Sequence, residues 1–137
     1  MHIVITQWAL DSYLELKHEK AFSPVVYKDT IRPDVKLLES YPANPKFSND
    51  KFWSQVTLDK RRLPNAFKMK WHNLGDRHIQ LRLTIGIGFD KELSGIAFLC
   101  RAYVKTDPKF ENRQLIKFET RLELIRKRKF IERGRLA

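Results

Sequence analysis

The chain carries a single cysteine, Cys100, among its 137 residues. No intramolecular disulfide can form, and the thiol reads as a small buried hydrophobe in a reducing, cytoplasmic setting. No stretch approaches the roughly 20 apolar residues of a membrane span. The opening Met1-His2-Ile3-Val4-Ile5-Thr6 lacks the basic region and long apolar core of a signal peptide. The four histidines are scattered and Cys100 stands alone, so no metal-ligand spacing is present. Internal repeats and low-complexity tracts are absent too. Carboxylates are in deficit: 16 Asp and Glu face 27 Lys and Arg, a formal net charge of +11. Such a field draws polyanions. Nucleic acid is the first candidate, with an anionic membrane or an acidic protein partner behind it.

The length suits one domain over 1–137, large enough for a hydrophobic core of its own. Ile3 to Ile5 reads as a short buried strand. Thr6 then caps a helix over about 7–20, with Trp8, Ala9, Tyr13, Leu14 and Leu16 as its apolar stripe. Ser23-Pro24 is a second helix start, and apolar spacing runs on to about Ser40, interrupted at Pro33. Tyr41 to Pro64 reads as a long loop tied down by Phe47, Phe52 and Trp53, either functional or hiding a short element. Three alternating strands follow, over 66–72, 78–85 and 96–105, the last with Ile96, Phe98, Cys100, Ala102 and Val104 on one face. Asp107-Pro108 opens a long helix whose stripe is Leu115, Phe118, Leu122 and Ile125. A basic extension follows at about 126–137. It reads either as a phosphate-binding continuation of the helix or as a solvated helix end with cations at its negative pole. The fold class is therefore α+β: an N-terminal strand, a two-helix hairpin, an antiparallel three- to four-stranded sheet and a C-terminal helix.

Strand alternation sorts the candidate site. One sheet face is apolar and packs on helices. The other offers Lys68, Lys70 and His72, then His78, Gln80 and Arg82, then Arg101, Tyr103 and Lys105. Cations for phosphate and an aromatic ring for a base are what single-stranded RNA needs. The same groups could cut it. The 2′-hydroxyl attacks the neighbouring phosphate when a base takes its proton, cations neutralise the phosphorane, and an acid protonates the leaving oxygen. Histidine or a lysine of depressed pKa exchanges protons near neutral pH, and arginine clamps phosphate. The plain alternative is a solvated sheet face, populated by cations because the whole chain is basic. His2 and His18 fall outside the face and read as structural or surface residues. Trp8, Trp53 and Trp71 read as core.

Three stretches between Lys70 and Ile125 resemble the RelE superfamily of toxin–antitoxin toxins, nearest its phage-derived, HigB-like branch. Leu74-Gly75 followed by Ile79-Gln80-Leu81-Arg82-Leu83 is similar to that branch's turn and arginine-bearing strand. Ile96-Ala97-Phe98-Leu99 and Ala102-Tyr103-Val104-Lys105-Thr106 are similar to its apolar strand and the lysine motif that ends it, although Thr106 stands where a second lysine is usual. Glu119, Arg121 and Leu122 resemble the closing helix. The resemblance implies a metal-independent, cofactor-free endoribonuclease that cuts messenger RNA, commonly at the ribosome, and is held inactive by an acidic antitoxin. Arg82 would stabilise the phosphorane and Lys105 would hold substrate phosphate. Arg101 and Tyr103 fall where the superfamily often carries basic and aromatic site residues. Lys70 and His78 join Arg82, Arg101 and Tyr103 as catalytic candidates, while Lys68, His72, Arg77 and Lys105 are the RNA-binding candidates. Two rivals stand: a non-catalytic module binding RNA, DNA or the ribosome, and a toxin that inhibits gyrase.

Overall fold

The computed structural model describes residues 1–136. Strand β1 (His2–Thr6) runs directly into helix α1 (Gln7–His18). Thr6 makes the junction: its hydroxyl accepts from the Ala9 amide at 3.2 Å and donates to the Leu99 carbonyl at 2.7 Å. One buried side chain thus caps the helix and ties it to the sheet. Ser12 repeats the device, accepting from the Ala102 amide at 2.9 Å and donating to Ala9 O at 2.8 Å.

Ser23 caps the next helical run, its hydroxyl accepting from Val26 N. The run is α2 (Pro24–Val26), a π-helical turn (Tyr27–Ile31), α3 (Arg32–Lys36) and a 3₁₀ turn (Leu37–Ser40). The interruption expected at Pro33 is this widened turn. Arg32 N reaches back five residues to Tyr27 O, and Pro33 then sits in the first turn of α3, where no amide donor is required. A second 3₁₀ turn (Pro45–Ser48) leads into the sheet.

The sheet has six strands: β1, then β2 (Trp53–Leu58), β3 (Arg61–Leu74), β4 (Ile79–Gly86), β5 (Ile96–Val104) and β6 (Glu132–Leu136), with helix α4 (Pro108–Arg126) before the last. Their order is β2-β3-β4-β5-β1-β6. Pairing is antiparallel except that β1 lies parallel to β5. The α+β class holds, but a purely antiparallel sheet of three or four strands does not.

Two elements replace expected irregular chain. β2 occupies the latter part of the long loop and pairs with β3 through a two-residue turn at Asp59 and Lys60, both with positive φ. That twist suits a tight hairpin. The basic extension turns back after α4 and pairs with β1 as an edge strand, with Gly134 opposite Ile5. Arg126 closes the helix and Lys127, Arg128 and Lys129 follow it as exposed cations at its negative pole, the solvated end expected; only from Glu132 does the chain become a strand.

Each sheet face carries a core, so no face is left open as expected. The N-terminal helices cover one, built on Ile3, Leu38, Met69, Trp71, Leu81 and Ile85. Helix α4 covers much of the other, where Phe98, Phe118, Leu122 and Ile125 pack with Val56 and Leu63. Strand β5 changes faces midway. Thr84 pairs with Arg101 but Ile85 pairs with Leu99, so Cys100 is an extra residue at a bulge. Phe98 and Cys100 therefore join the α4-side core, while Ala97 and Leu99 pack on the other side with Ala102 and Val104. The expected single face of Ile96, Phe98, Cys100, Ala102 and Val104 is broken at that point. Burial pushes the Cys100 thiol up to about 12, which leaves it an inert packing group.

Candidate nucleic-acid interface

Register brings the central residues together. Lys70 lies opposite Arg82, and Arg82 lies opposite Tyr103. In the adjacent row, Lys68 faces Thr84, which faces Arg101. Side chains across a strand pair share a face. Beyond Tyr103, the Lys105 amide donates to the Gln80 carbonyl, which holds Lys105 at the end of the same surface.

The first turn of α4 adds a residue that strand reasoning did not include. Asp107 caps the helix, its carboxylate accepting from Phe110 N at 2.8 Å. That fixes Glu111 over the sheet. Its Oε2 accepts from the Tyr103 hydroxyl at 2.8 Å, and its Oε1 lies 3.6 Å from Lys68 Nζ and 3.9 Å from Lys105 Nζ. Strand alternation placed no carboxylate among the residues of this face; this one reaches it from the helix. The signal was present in the sequence, because stepping back from Leu115 and Phe118 at helical spacing lands on Glu111 and Gln114.

The cluster is electrostatically unbalanced: Lys68, Lys70, Arg82 and Lys105 gather near Glu111, with the Asp50 carboxylate also acting on Lys70. Burial lowers the Lys68 pKa; Glu111 opposes that shift, and Arg82 and Lys105 reinforce it. Lys70 is lowered for the same first reason, then by Lys68 and Arg82. Its ammonium donates to the Asp50 carbonyl. Arg82 is 5% exposed, and burial lowers its pKa. Its Nη1 donates to Trp71 O at 3.2 Å and Leu81 O at 3.1 Å, while its buried Nε has no partner. Tyr103 is 2% exposed, and burial, then Glu111, raises its phenol well above the usual range. A phenol so buried cannot stack on a base in this arrangement, so its part is to hold Glu111.

The other candidates fall differently. His72 stays on the surface beside Lys70, with Nε2 donating to Lys51 O at 2.6 Å and Nδ1 lying 3.1 Å from Gln80 Oε1. His78 is not on β4: it has φ 52° and closes the turn after Gly75, so strand parity does not apply to it. Arg77 in that turn donates to the carbonyls of Glu19 and Lys20 at the end of α1, away from the cluster. Arg101 shares the face, yet its Nε donates to Gln114 Oε1 at 2.8 Å and its Nη2 lies 3.5 Å from Glu15 Oε2. It bridges α1 and α4 and does not aim at Glu111. Trp53 and Trp71 are buried as expected, and Trp8 packs under the Arg121 guanidinium at 5.4 Å.

Among the described residues, no group of three or more His, Cys, Asp or Glu is placed to hold a metal ion, and no helix is long and apolar enough to cross a membrane. No protein-family model, curated protein or solved structure matches this chain.

Proposed function

We propose that the chain binds RNA through the Lys68–Lys70–Arg82–Lys105 cluster and cleaves it by attack of a 2′-hydroxyl on the adjacent phosphate. The observation that carries this reading is the Glu111 carboxylate held by Tyr103 and flanked by Lys68 and Lys105. In the proposed step Glu111 takes the 2′-hydroxyl proton, the 2′-oxygen bonds to phosphorus, and the 5′-oxygen leaves with a proton from Lys70. Products are a 2′,3′-cyclic phosphate and a free 5′-hydroxyl. Lys68, Arg82 and Lys105 offset charge that grows on the phosphorane. The lowered pKa of Lys70 suits a group that must give up a proton. His78, displaced into a turn, has no part in this scheme, and Arg101 acts by joining α1 to α4.

The wider setting we propose is that of a RelE-like toxin, cutting translated messages at the ribosome and neutralised by an acidic antitoxin. The +11 charge and the α+β architecture support it. Mapping of RNA 5′ ends in cells briefly induced for the protein tests it, beside Lys70→Ala and Glu111→Gln controls. New ends inside messages, lost in both controls and phased with codons, are the expected result. Unchanged ends would remove the nuclease. A second reading, a basic module that binds without cutting, is favoured by the burial of Arg82 and Tyr103. It gives salt-sensitive RNA binding with every 5′ end intact.

A further inference from the structure

On the opposite face of the sheet from the cationic cluster, a cavity of about 210 Å³ lies between α1, the π-helical turn and strands β4 and β5. Its wall is apolar: Leu10, Ile31, Val35, Leu81, Leu83 and Leu99 line it. Beside it, a second hollow of about 590 Å³ opens between the end of α1 and the Gly75–His78 turn. Tyr13, Phe22 and Tyr27 line both, so the two hollows lie side by side on one aromatic wall. Tyr13 and Tyr27 are in ring contact at 5.0 Å between centroids.

The outer hollow is cationic. Lys17, Lys20 and Arg77 line it against one carboxylate, Asp76, and Arg32 lines the inner cavity. None of these four cations is paired with a carboxylate among the described residues. Apolar surface inside and unpaired positive charge at the mouth call for a ligand with an apolar body and an anionic head. Size narrows the class. A dry apolar cavity of about 150 Å³ holds benzene, so this one takes roughly eight carbons.

We propose that this compound cleft is a binding site for a small anionic amphiphile, a medium-chain carboxylate. Its chain lies along Leu81, Leu83 and Leu99, and its head group lies among Lys17, Lys20 and Arg77. The site is independent of the RNA-cleaving cluster and stands whether or not that cluster cuts RNA.

The test is methyl NMR of the full chain at low salt, titrated with octanoate, octanol and octylammonium. Octanoate is expected to shift the Leu81, Leu83 and Leu99 methyls and to bind roughly tenfold tighter than octanol, a difference of about 1.4 kcal/mol. Octylammonium is expected to bind more weakly than either. A Lys17→Glu/Lys20→Glu variant changes two exposed side chains, and its unshifted α4-side methyls report an intact fold. In it, octanoate should fall to the affinity of octanol while octanol is unchanged. Three ligands of equal affinity, octanoate binding indifferent to the charge reversal, or no shift of those methyls at millimolar ligand would each overturn the proposal.

Discussion

The Tyr103 hydroxyl donates to the Glu111 carboxylate at 2.8 Å, joining the end of β5 to the first turn of α4. The bond fixes a buried phenol and orients the carboxylate that Lys68 and Lys105 face. Tyr103→Phe removes the donor with little change in volume. A hydrogen bond to a charged partner is worth about 1.5–3 kcal/mol, and the partial exposure of this pair places it at the lower end. Thermal melts should show a loss of a few degrees. The pH dependence has a definite sign. The Tyr103 pKa is raised by burial and then by Glu111, so its contribution is complete below the unfolded value of about 10 and is lost as pH rises beyond it. The difference in stability between the native chain and Tyr103→Phe should therefore shrink above about pH 10. A difference that grows there would contradict the assignment.

Lys68 offers a direct reading of the field. Burial lowers its pKa, and Glu111 pulls the other way. Glu111→Gln should therefore lower it further, because the carboxylate that favours the ammonium is gone. Titration of ¹³C-dimethylated lysines by NMR resolves this. Lys68 should titrate below the exposed lysines in the native chain and lower still in the variant.

Arg82 separates stability from function. Its guanidinium is buried with Nε unpartnered, and an unsatisfied buried donor costs about 1–3 kcal/mol. Arg82→Met keeps the apolar stem and removes that penalty along with two bonds to strand carbonyls. Denaturant unfolding should find the variant within about 1 kcal/mol of the native chain or above it. RNA affinity should fall at least tenfold, or about 1.4 kcal/mol. A variant that loses several kcal/mol of stability while binding RNA normally would make Arg82 a structural residue only.

Local signals in the sequence located the helices. Thr6, Ser23 and Asp107 each combine a capping oxygen with a following helical pattern, and all three cap as read. The polar row Lys68, Lys70, Arg82 and Tyr103 followed from strand parity alone. What parity could not show was any break in it. The extra residue at Cys100 changes the faces of β5, and no local composition marks that bulge. Strand β2 went unseen because its turn, Asp59-Lys60, has no glycine, although both residues adopt positive φ. Strand β6 is Glu-Arg-Gly-Arg-Leu, with no apolar alternation; backbone pairing to β1 holds it at the edge. Glu111 escaped notice because a carboxylate on an apolar helical stripe looks like the stripe's end, and here it turns onto Tyr103, Lys68 and Lys105.

Removing that carboxylate should split binding from cleavage. Glu111 is the anion that Lys68 and Lys105 both face, so it screens them from an incoming phosphate and also, in the proposed scheme, receives the 2′-hydroxyl proton. Glu111→Gln keeps the shape and an oxygen to accept from Tyr103. Without the negative charge, Lys68 and Lys105 are free to meet phosphate. Affinity for a short single-stranded RNA at low salt should rise severalfold, and log K should fall more steeply with log salt, by about 0.7 for each added phosphate contact. Cleavage of the same RNA should drop by about 10²-fold or more, the usual loss when a general base is removed. A gel-shift series and a cleavage assay on one substrate read both quantities. Tighter binding with slower cutting is the pairing expected of a base seated inside a phosphate site. Tighter binding with unchanged cutting would leave Glu111 as an electrostatic screen and remove it as the base.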